Sequence, residues 1–267
     1  MINKKVLKIF VNTLLIIIGL AIIFITNGYY EKAIIINQIE DFKERAIYVG
    51  EDPIQKNVHY YKVSKEYEYE DVSRYTFDIN SKRNIGSKTD VIITNRNPMR
   101  GTPVLDPLVG FLASNFYVGH SSMNSVDDGS RMYEVVGNSG TPGKNVVIEG
   151  TNDWYRYIED IETPVIVGVR IKDTTEEQRD KMVEYADQQL GKGYNYSFIF
   201  NRANTYYCTD LVSRSAKYAG LNINYDHFAT TGNDMIISKN TYIFFLRDIV
   251  YEDGEPVFNI YFLENEE

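Results

Sequence analysis

A net charge of −9 over 267 residues argues against nucleic acid as the main partner, because binding to phosphates requires a basic surface. Hydrophobic residues make up 43% of the chain, which excludes a disordered protein and is enough for one large domain with additions or for two small ones. The single cysteine and the three histidines (His59, His120 and His227) show no metal-ligand spacing, so no cofactor is expected, and a metal held mainly by carboxylates is the alternative that stays open.

Residues 1–28 predict a membrane anchor. An apolar run extends from Val6 to Thr26, and about 18 residues from Ile9 onward are available to span a bilayer, close to the lower limit for a helix. Lysines precede and enter this run, so we expect a single-pass cell-membrane protein with a cytoplasmic N-terminus and an exported remainder. A cleaved signal peptide is the alternative, but residues 24–30 lack the small-residue cleavage site.

Residues 29–87 form a second predicted region. Apolar residues between Tyr30 and Val49 recur at helical spacing, which predicts an amphipathic helix that lies against the membrane surface or against the rest of the protein. Alternation at 60–63 and 75–77 predicts one or two short strands in an otherwise polar, tyrosine-rich connection. The role of this region stays open from the sequence.

Residues 88–267 carry the strongest pattern and are predicted to form the main domain. Apolar or alternating runs predict strands at Thr89–Thr94, Tyr117–Met123, Arg131–Val136, Asn145–Glu149 and Pro164–Ile171, with a turn at 138–143. Thr175 and Gln178 form a capping-box motif that predicts the start of a helix. The last 20 residues predict a hairpin, with strands at 249–251 and 257–262 joined across Asp253 and Gly254.

Cys208 lies near the predicted start of another helix. Small and apolar residues recur at helical spacing on the face that carries the sulfur, namely Leu211, Val212, Ser215, Ala216 and Ala219. Asn204 or Thr205 is expected to begin the helix and Gly220 to follow its end. Unpaired N–H groups and the helix dipole lower a thiol pKa in a first turn, as a nucleophile requires. A buried, inert cysteine is the alternative interpretation.

A nucleophilic thiol needs a base, and His120 is the best-placed histidine. It lies in a predicted strand, whereas His59 lies in the weakly patterned region and His227 in a loop. The strands that carry His120 and Glu134 are joined by a short connection and are expected to pair as an antiparallel hairpin. Glu134 would then reach the imidazole and fix its tautomer. A core histidine and a solvent-facing glutamate are the alternatives.

Five segments resemble the circularly permuted, NlpC/p60-like papain-fold cysteine hydrolases of the YiiX/YebB-like branch. They occur in the family's order over about residues 88–240 and begin at Thr89, Val118, Gly193, Tyr207 and Thr231. The resemblance implies an α+β fold in which an antiparallel sheet packs against the cysteine-bearing helix. Some positions depart from the family pattern: Asp210 replaces a glutamate, and Gly193 and Gly232 replace prolines.

The resemblance implies Cys208 as nucleophile, His120 as base and Glu134 as the orienting group, in an enzyme that forms an acyl intermediate. We expect Tyr194 and Tyr117 to shape the substrate cleft, and Asp90 and Asp210 to have structural roles. Export makes amide bonds of cell-wall peptides the leading substrate class. A lipid acyltransferase or thioesterase of the lecithin–retinol acyltransferase type and a non-catalytic, anchored binding module are the alternatives, and the oligomeric state stays open.

Overall fold

The computed structural model describes residues 4–82, 84–97, 105–117, 119–137, 145–197, 202–226 and 229–265. The turn predicted at 138–143 and His227 lie outside the described residues. The structure is mixed α+β and is built around one large sheet.

Helix α1 runs without interruption from Lys4 to Glu44. The predicted membrane anchor and most of the predicted amphipathic helix are therefore one helix of 41 residues, about 60 Å long. The amphipathic helix was predicted to reach Val49, but the helix ends at Glu44 because Ala46–Glu51 form a strand that pairs with Val58–Val63. Within the described part of the chain, it is the one helix that is long and apolar enough to cross a membrane. Its C-terminal half packs on the rest of the protein and buries Gly28, Glu31, Ile35 and Phe42.

The main sheet has nine strands in the order β1-β2-β11-β10-β7-β3-β4-β5-β6. Neighbouring strands are antiparallel, except that β2 and β11 are parallel. The strands of this sheet, in chain order, are β1 (Ala46–Glu51), β2 (Val58–Val63), β3 (Val91–Thr94), β4 (His120–Asn124), β5 (Arg131–Val135), β6 (Val147–Thr151), β7 (Ile166–Ile171), β10 (Thr241–Glu252) and β11 (Glu255–Leu263). Strands β8 (Gly193–Tyr194) and β9 (Thr205–Tyr206) form a separate two-stranded sheet.

Four shorter helices pack around the sheet or on each other. They are α2 (Leu105–Phe116), α3 (Glu176–Asp187), α4 (Cys208–Tyr218) and α5 (Gly232–Ile237), and a 3₁₀ turn covers Trp154–Tyr157. Thr175 caps α3 with the predicted capping box, since its side chain accepts from the Gln178 N–H and the Gln178 side chain accepts from the Thr175 N–H. The strands predicted between residues 89 and 171 are all present, each within a few residues of the predicted bounds.

Three details differ from the sequence-based expectations. Residues 75–77 are not a strand, although 58–63 are. Helix α4 begins at Cys208 and not at Asn204 or Thr205, because Thr205 and Tyr206 pair with β8. The C-terminal hairpin is much longer than predicted, since β10 extends back to Thr241 to pair with β7. Strands β1 and β2, from the region of unassigned role, extend the same sheet through the pairing of β2 with β11.

A buried ion pair links the centre of the sheet to residues 71–90, the connection that leads into β3. The Arg170 guanidinium on β7 donates to both carboxylate oxygens of Asp90, at 2.8 and 2.6 Å, and both side chains are fully buried. Arg170 also donates to the carbonyls of Asp71 and Tyr75, and the Ser87 N–H donates to Asp90. Asp90 precedes β3, so this network confirms its structural role and holds residues 71–90 against the sheet.

Replacing Asp90 with alanine is expected to lower the free energy of unfolding by about 3–5 kcal/mol, because Arg170 would keep a buried charge without its partner. Urea unfolding of the full chain in detergent, followed by Trp154 fluorescence, measures this change. Glu177→Ala is the control, since it removes an exposed pair with Lys181 and should leave the unfolding midpoint nearly unchanged. A loss of less than about 1 kcal/mol in Asp90→Ala would contradict the structural role given to the pair.

Candidate active site

Strand register brings Glu134 to His120. In the β4–β5 pair, Met123 lies opposite Tyr133 and Asn124 opposite Met132, and continuing this register places Glu134 opposite Ser122. Alternate residues of a strand share a face, so His120 and Glu134 lie diagonally on the same face. The His120 Nε2 and Glu134 Oε2 atoms are 2.9 Å apart, and both side chains are partly exposed.

The start of α4 brings the thiol to the same place. Tyr207, the N-cap residue, has extended backbone, and Cys208 is the first helical residue. The N–H groups of a first turn have no acceptor within the helix, so the Cys208 N–H is available to a ligand. The apolar face of α4, which includes Leu211 and Val212, is buried, and the helix packs on β4. Cys208 is partly exposed, and its thiol lies close enough to the His120 side chain for the imidazole to lower the pKa of the thiol.

The electrostatics of the site favour a thiolate beside an imidazolium. Desolvation by the surrounding protein opposes ionisation of Cys208, but hydrogen bonding and the charge of His120, with further hydrogen bonds from Ser121, lower the pKa of the thiol. Desolvation likewise opposes protonation of His120, yet the hydrogen bonds to Cys208 and Glu134 raise the pKa of the imidazole. Because the His120 Nε2 is hydrogen-bonded to Glu134, Nδ1 is the ring nitrogen of His120 that remains for the sulfur of Cys208.

Two residues beside the site were missed by the sequence analysis. Trp154 is buried, its ring centroid lies 5.9 Å from that of His120, and its indole N–H donates to the Ser122 hydroxyl at 2.7 Å. Ser121 lies next to His120 in β4 and is one of the groups that lower the pKa of the Cys208 thiol. Two features of the sequence could have pointed to these residues: Trp154 is the single tryptophan, and Ser121 belongs to the motif around His120.

Tyr194 borders the site, whereas the Tyr117 side chain is buried in the core. The Tyr194 ring lies against Gly137, where an added Cβ would come within 2.8 Å of the ring. Burial raises the pKa of Tyr194, and the negative charge of Cys208 raises it further, so the two groups are close. Tyr117 is 7% exposed and packs in the core against Gly232. We therefore retain Tyr194 and not Tyr117 as a candidate substrate contact.

The chain that leads to the nucleophile is fixed by Arg214. This side chain pairs with Asp210 at 2.7 Å and donates to the carbonyl of Thr205, so Asp210 has the structural role expected of it. Pairing of β8 with β9 sets Tyr194 beside Tyr206, two residues before Cys208. This arrangement explains why Tyr194 borders the thiol.

The permuted papain-like architecture is also found by comparison with known proteins. Residues 151–247, which include Cys208 but neither His120 nor Glu134, match the family described as "Permuted papain-like amidase enzyme, YaeF/YiiX, C92 family". The match confirms the resemblance indicated by the sequence motifs, and the matched family is one of cysteine peptidases and amidases, which is consistent with an enzyme. The matched region is thus similar to one particular family, the C92 family of YaeF/YiiX amidases.

A search of solved structures finds "Crystal structure of metalloprotein yiiX from Escherichia coli O157:H7, DUF1105", with 14% sequence identity and a TM-score of 0.43. The alignment covers 59% of this chain and 95% of that chain. No curated protein matches the sequence.

The lowered pKa of Cys208 predicts that the thiol stays reactive at a pH where ordinary thiols are protonated. At pH 7, alkylation by iodoacetamide should be about tenfold faster than that of a model thiol of pKa about 8.5, and it should fall only as the pH drops through the lowered pKa. Glu134→Gln removes the charge that stabilises the imidazolium, so its rate at pH 7 should fall several-fold.

Glu149→Gln is the matched control, because Glu149 lies on the neighbouring strand β6 and contacts Arg131 and Ser125 instead of His120. Its alkylation rate at pH 7 should equal that of the wild type. Wild-type labelling no faster than the model thiol would contradict the ion pair.

Proposed function

We propose that this chain is a membrane-anchored, extracytoplasmic cysteine hydrolase that cleaves amide bonds, with cell-wall peptides as its substrate class. The observation that carries the proposal is the contact of a thiol, an imidazole and a carboxylate from Cys208, His120 and Glu134. The similarity of residues 151–247 to permuted papain-like amidases supports amide hydrolysis as the reaction.

The proposed mechanism begins from the Cys208 thiolate, whose proton is held by His120. The sulfur attacks the carbonyl carbon of the amide, and the Cys208 N–H donates a hydrogen bond to the developing oxyanion. His120 then gives its proton to the leaving amine, and an acyl-enzyme with a thioester at Cys208 remains. His120 next removes a proton from water, which attacks the thioester and releases the carboxylic acid. Glu134 keeps the imidazole oriented and stabilises its positive charge throughout.

Helix α1 supports the proposed location. The lysines near its N-terminus (Lys4, Lys5 and Lys8) favour a cytoplasmic start, which leaves the sheet and the site outside the membrane. The helix is buried against the domain from Gly28 onward, directly after the apolar run ends at Thr26. The domain would therefore sit close to the outer face of the membrane, where peptides of the cell wall are within reach.

The same position favours a second candidate, transfer of acyl chains between lipids. A domain that packs on α1 directly after the apolar run lies near lipid ester groups, and the same thiolate can form an acyl-enzyme from an ester. The first step would be identical, and the acceptor would be a second lipid in place of water. A non-catalytic binding module is less well supported, because all three groups needed for the chemistry are present and in contact.

Incubation of the full chain in detergent, separately with muropeptides and with phospholipids, distinguishes these functions by mass spectrometry of the products. We expect cleavage of the muropeptides and no change in the lipids. Cys208→Ala should lower turnover by at least about 10³-fold without changing the unfolding midpoint, because it removes the nucleophile alone.

His120→Ala and His59→Ala form a matched pair of variants. His120→Ala should lose activity to a similar extent, whereas His59 of β2, which packs edge-to-face with Tyr48 of β1, should be dispensable. Lipid acyl transfer without muropeptide cleavage would contradict amide hydrolysis and support acyl transfer between lipids as the function. Activity that survives in Cys208→Ala would overturn both.

A further inference from the structure

Three carboxylates that the proposed mechanism does not use converge beside α1. Glu31 of α1, Asp226 of the connection after α4 and Asp234 of α5 each place a carboxylate oxygen within 4.8 Å of the others. Glu31 and Asp234 are buried, and among the described residues neither forms an ion pair with a lysine or an arginine. Desolvation, together with the repulsion between these groups, raises the pKa of Glu31 and of Asp234. Glu31 and Asp234 therefore have no compensating lysine or arginine among the described residues.

Asn233 provides an independent sign that the cluster takes a ligand. Its side chain is directed at the carboxylates, since its Nδ2 donates to Glu31 Oε2 at 3.0 Å, and the residue is only 1% exposed. Its amide oxygen Oδ1 is fully buried and has no hydrogen-bond partner. Buried polar atoms are nearly always satisfied by protein, water or an ion, so an unpaired oxygen at the edge of an acidic cluster points to a missing cation.

We propose that Glu31, Asp226 and Asp234 bind a calcium ion, to which the Asn233 amide oxygen is a further candidate ligand. The donors are carboxylate and amide oxygens, which suit hard cations, and the cluster includes no histidine or cysteine of the described residues that would favour zinc or copper. Calcium accepts oxygens at about 2.3–2.6 Å in irregular geometry, whereas magnesium demands a near-ideal octahedron at about 2.1 Å. Ligands contributed by three separate segments of the chain fit the more tolerant ion.

A calcium ion at this site would hold α1 in place relative to α4, the helix that carries Cys208. Asp234 accepts from the Thr231 N–H and hydroxyl, both at 2.7 Å, and so caps α5. The carbonyl of the preceding residue, Thr230, accepts from the Thr209 hydroxyl at 2.6 Å. Thr209 follows Cys208 in the first turn of α4. Calcium would thus fix α1, α5 and the start of α4 in one unit, whatever reaction Cys208 performs.

Thermal unfolding of the full chain in detergent, stripped with EDTA and titrated with CaCl2, tests this site, with isothermal titration calorimetry as the direct measurement of binding. The wild-type midpoint should rise saturably, by roughly 5–10 °C at a hundredfold excess over Kd. Equal concentrations of MgCl2 should give a smaller rise. Glu31→Gln and Asp226→Asn should each weaken calcium binding by about tenfold or more, since each removes one charged ligand.

Glu40→Gln is the matched control, because Glu40 lies on the same helix and is exposed. It should keep the wild-type affinity for calcium. Glu31→Gln should also raise the unfolding midpoint of the metal-free protein, because it removes a repelling charge. If Glu31→Gln fails to fold, Asp226→Asn provides the test of calcium affinity. Three results would overturn the proposal: no saturable effect of CaCl2, an effect of MgCl2 as large as that of CaCl2, or equal calcium affinity in the Glu31 or Asp226 variant and in Glu40→Gln.

Discussion

The proposed chemistry depends on the packing of one helix end against one strand. Register within the β4–β5 hairpin sets Glu134 against His120, and the start of α4 sets the position of the Cys208 sulfur. The packing of α4 on β4 and β5 joins these two local arrangements. Strand β4 in turn is held by β3, and the buried Asp90–Arg170 pair ties the start of β3 to β7. The buried Asp90–Arg170 pair therefore helps to fix the position of His120 on β4, through the pairing of β4 with β3.

Helix α1 is part of this support and not only a candidate membrane anchor. Because α1 continues from the apolar run into the domain, Ile35 and Phe42 are in the core, and Glu31 contacts Asn233 of α5. A buried glutamate shortly after the end of the apolar run is costly unless it is compensated. The proposed calcium ion supplies that compensation and gives the buried acidic cluster a function.

Local patterns in the sequence were sufficient for the parts of the site that local geometry determines. Strand alternation and a short connection predicted the contact between His120 and Glu134, and helical spacing predicted the helix that carries Cys208, although its predicted start at Asn204 or Thr205 was wrong. Contacts that depend on long-range pairing had no such pattern. The position of Trp154 beside His120, the pairing of β9 that delays the start of α4, and the joining of β2 to β11 all depend on residues distant in the sequence. The same reason explains why Glu31 was not connected with Asp226 and Asp234.

The most direct test of the central claim is the NMR titration of His120, which is tractable because the chain has only three histidines. In the wild type, the imidazolium should persist well above the usual histidine pKa of about 6.5, since both the thiolate and Glu134 stabilise it. In Cys208→Ser, whose hydroxyl does not ionise, the pKa of His120 should fall clearly. A His120 pKa that is ordinary in the wild type, or equal in the two proteins, would contradict the thiolate–imidazolium pair on which the account rests.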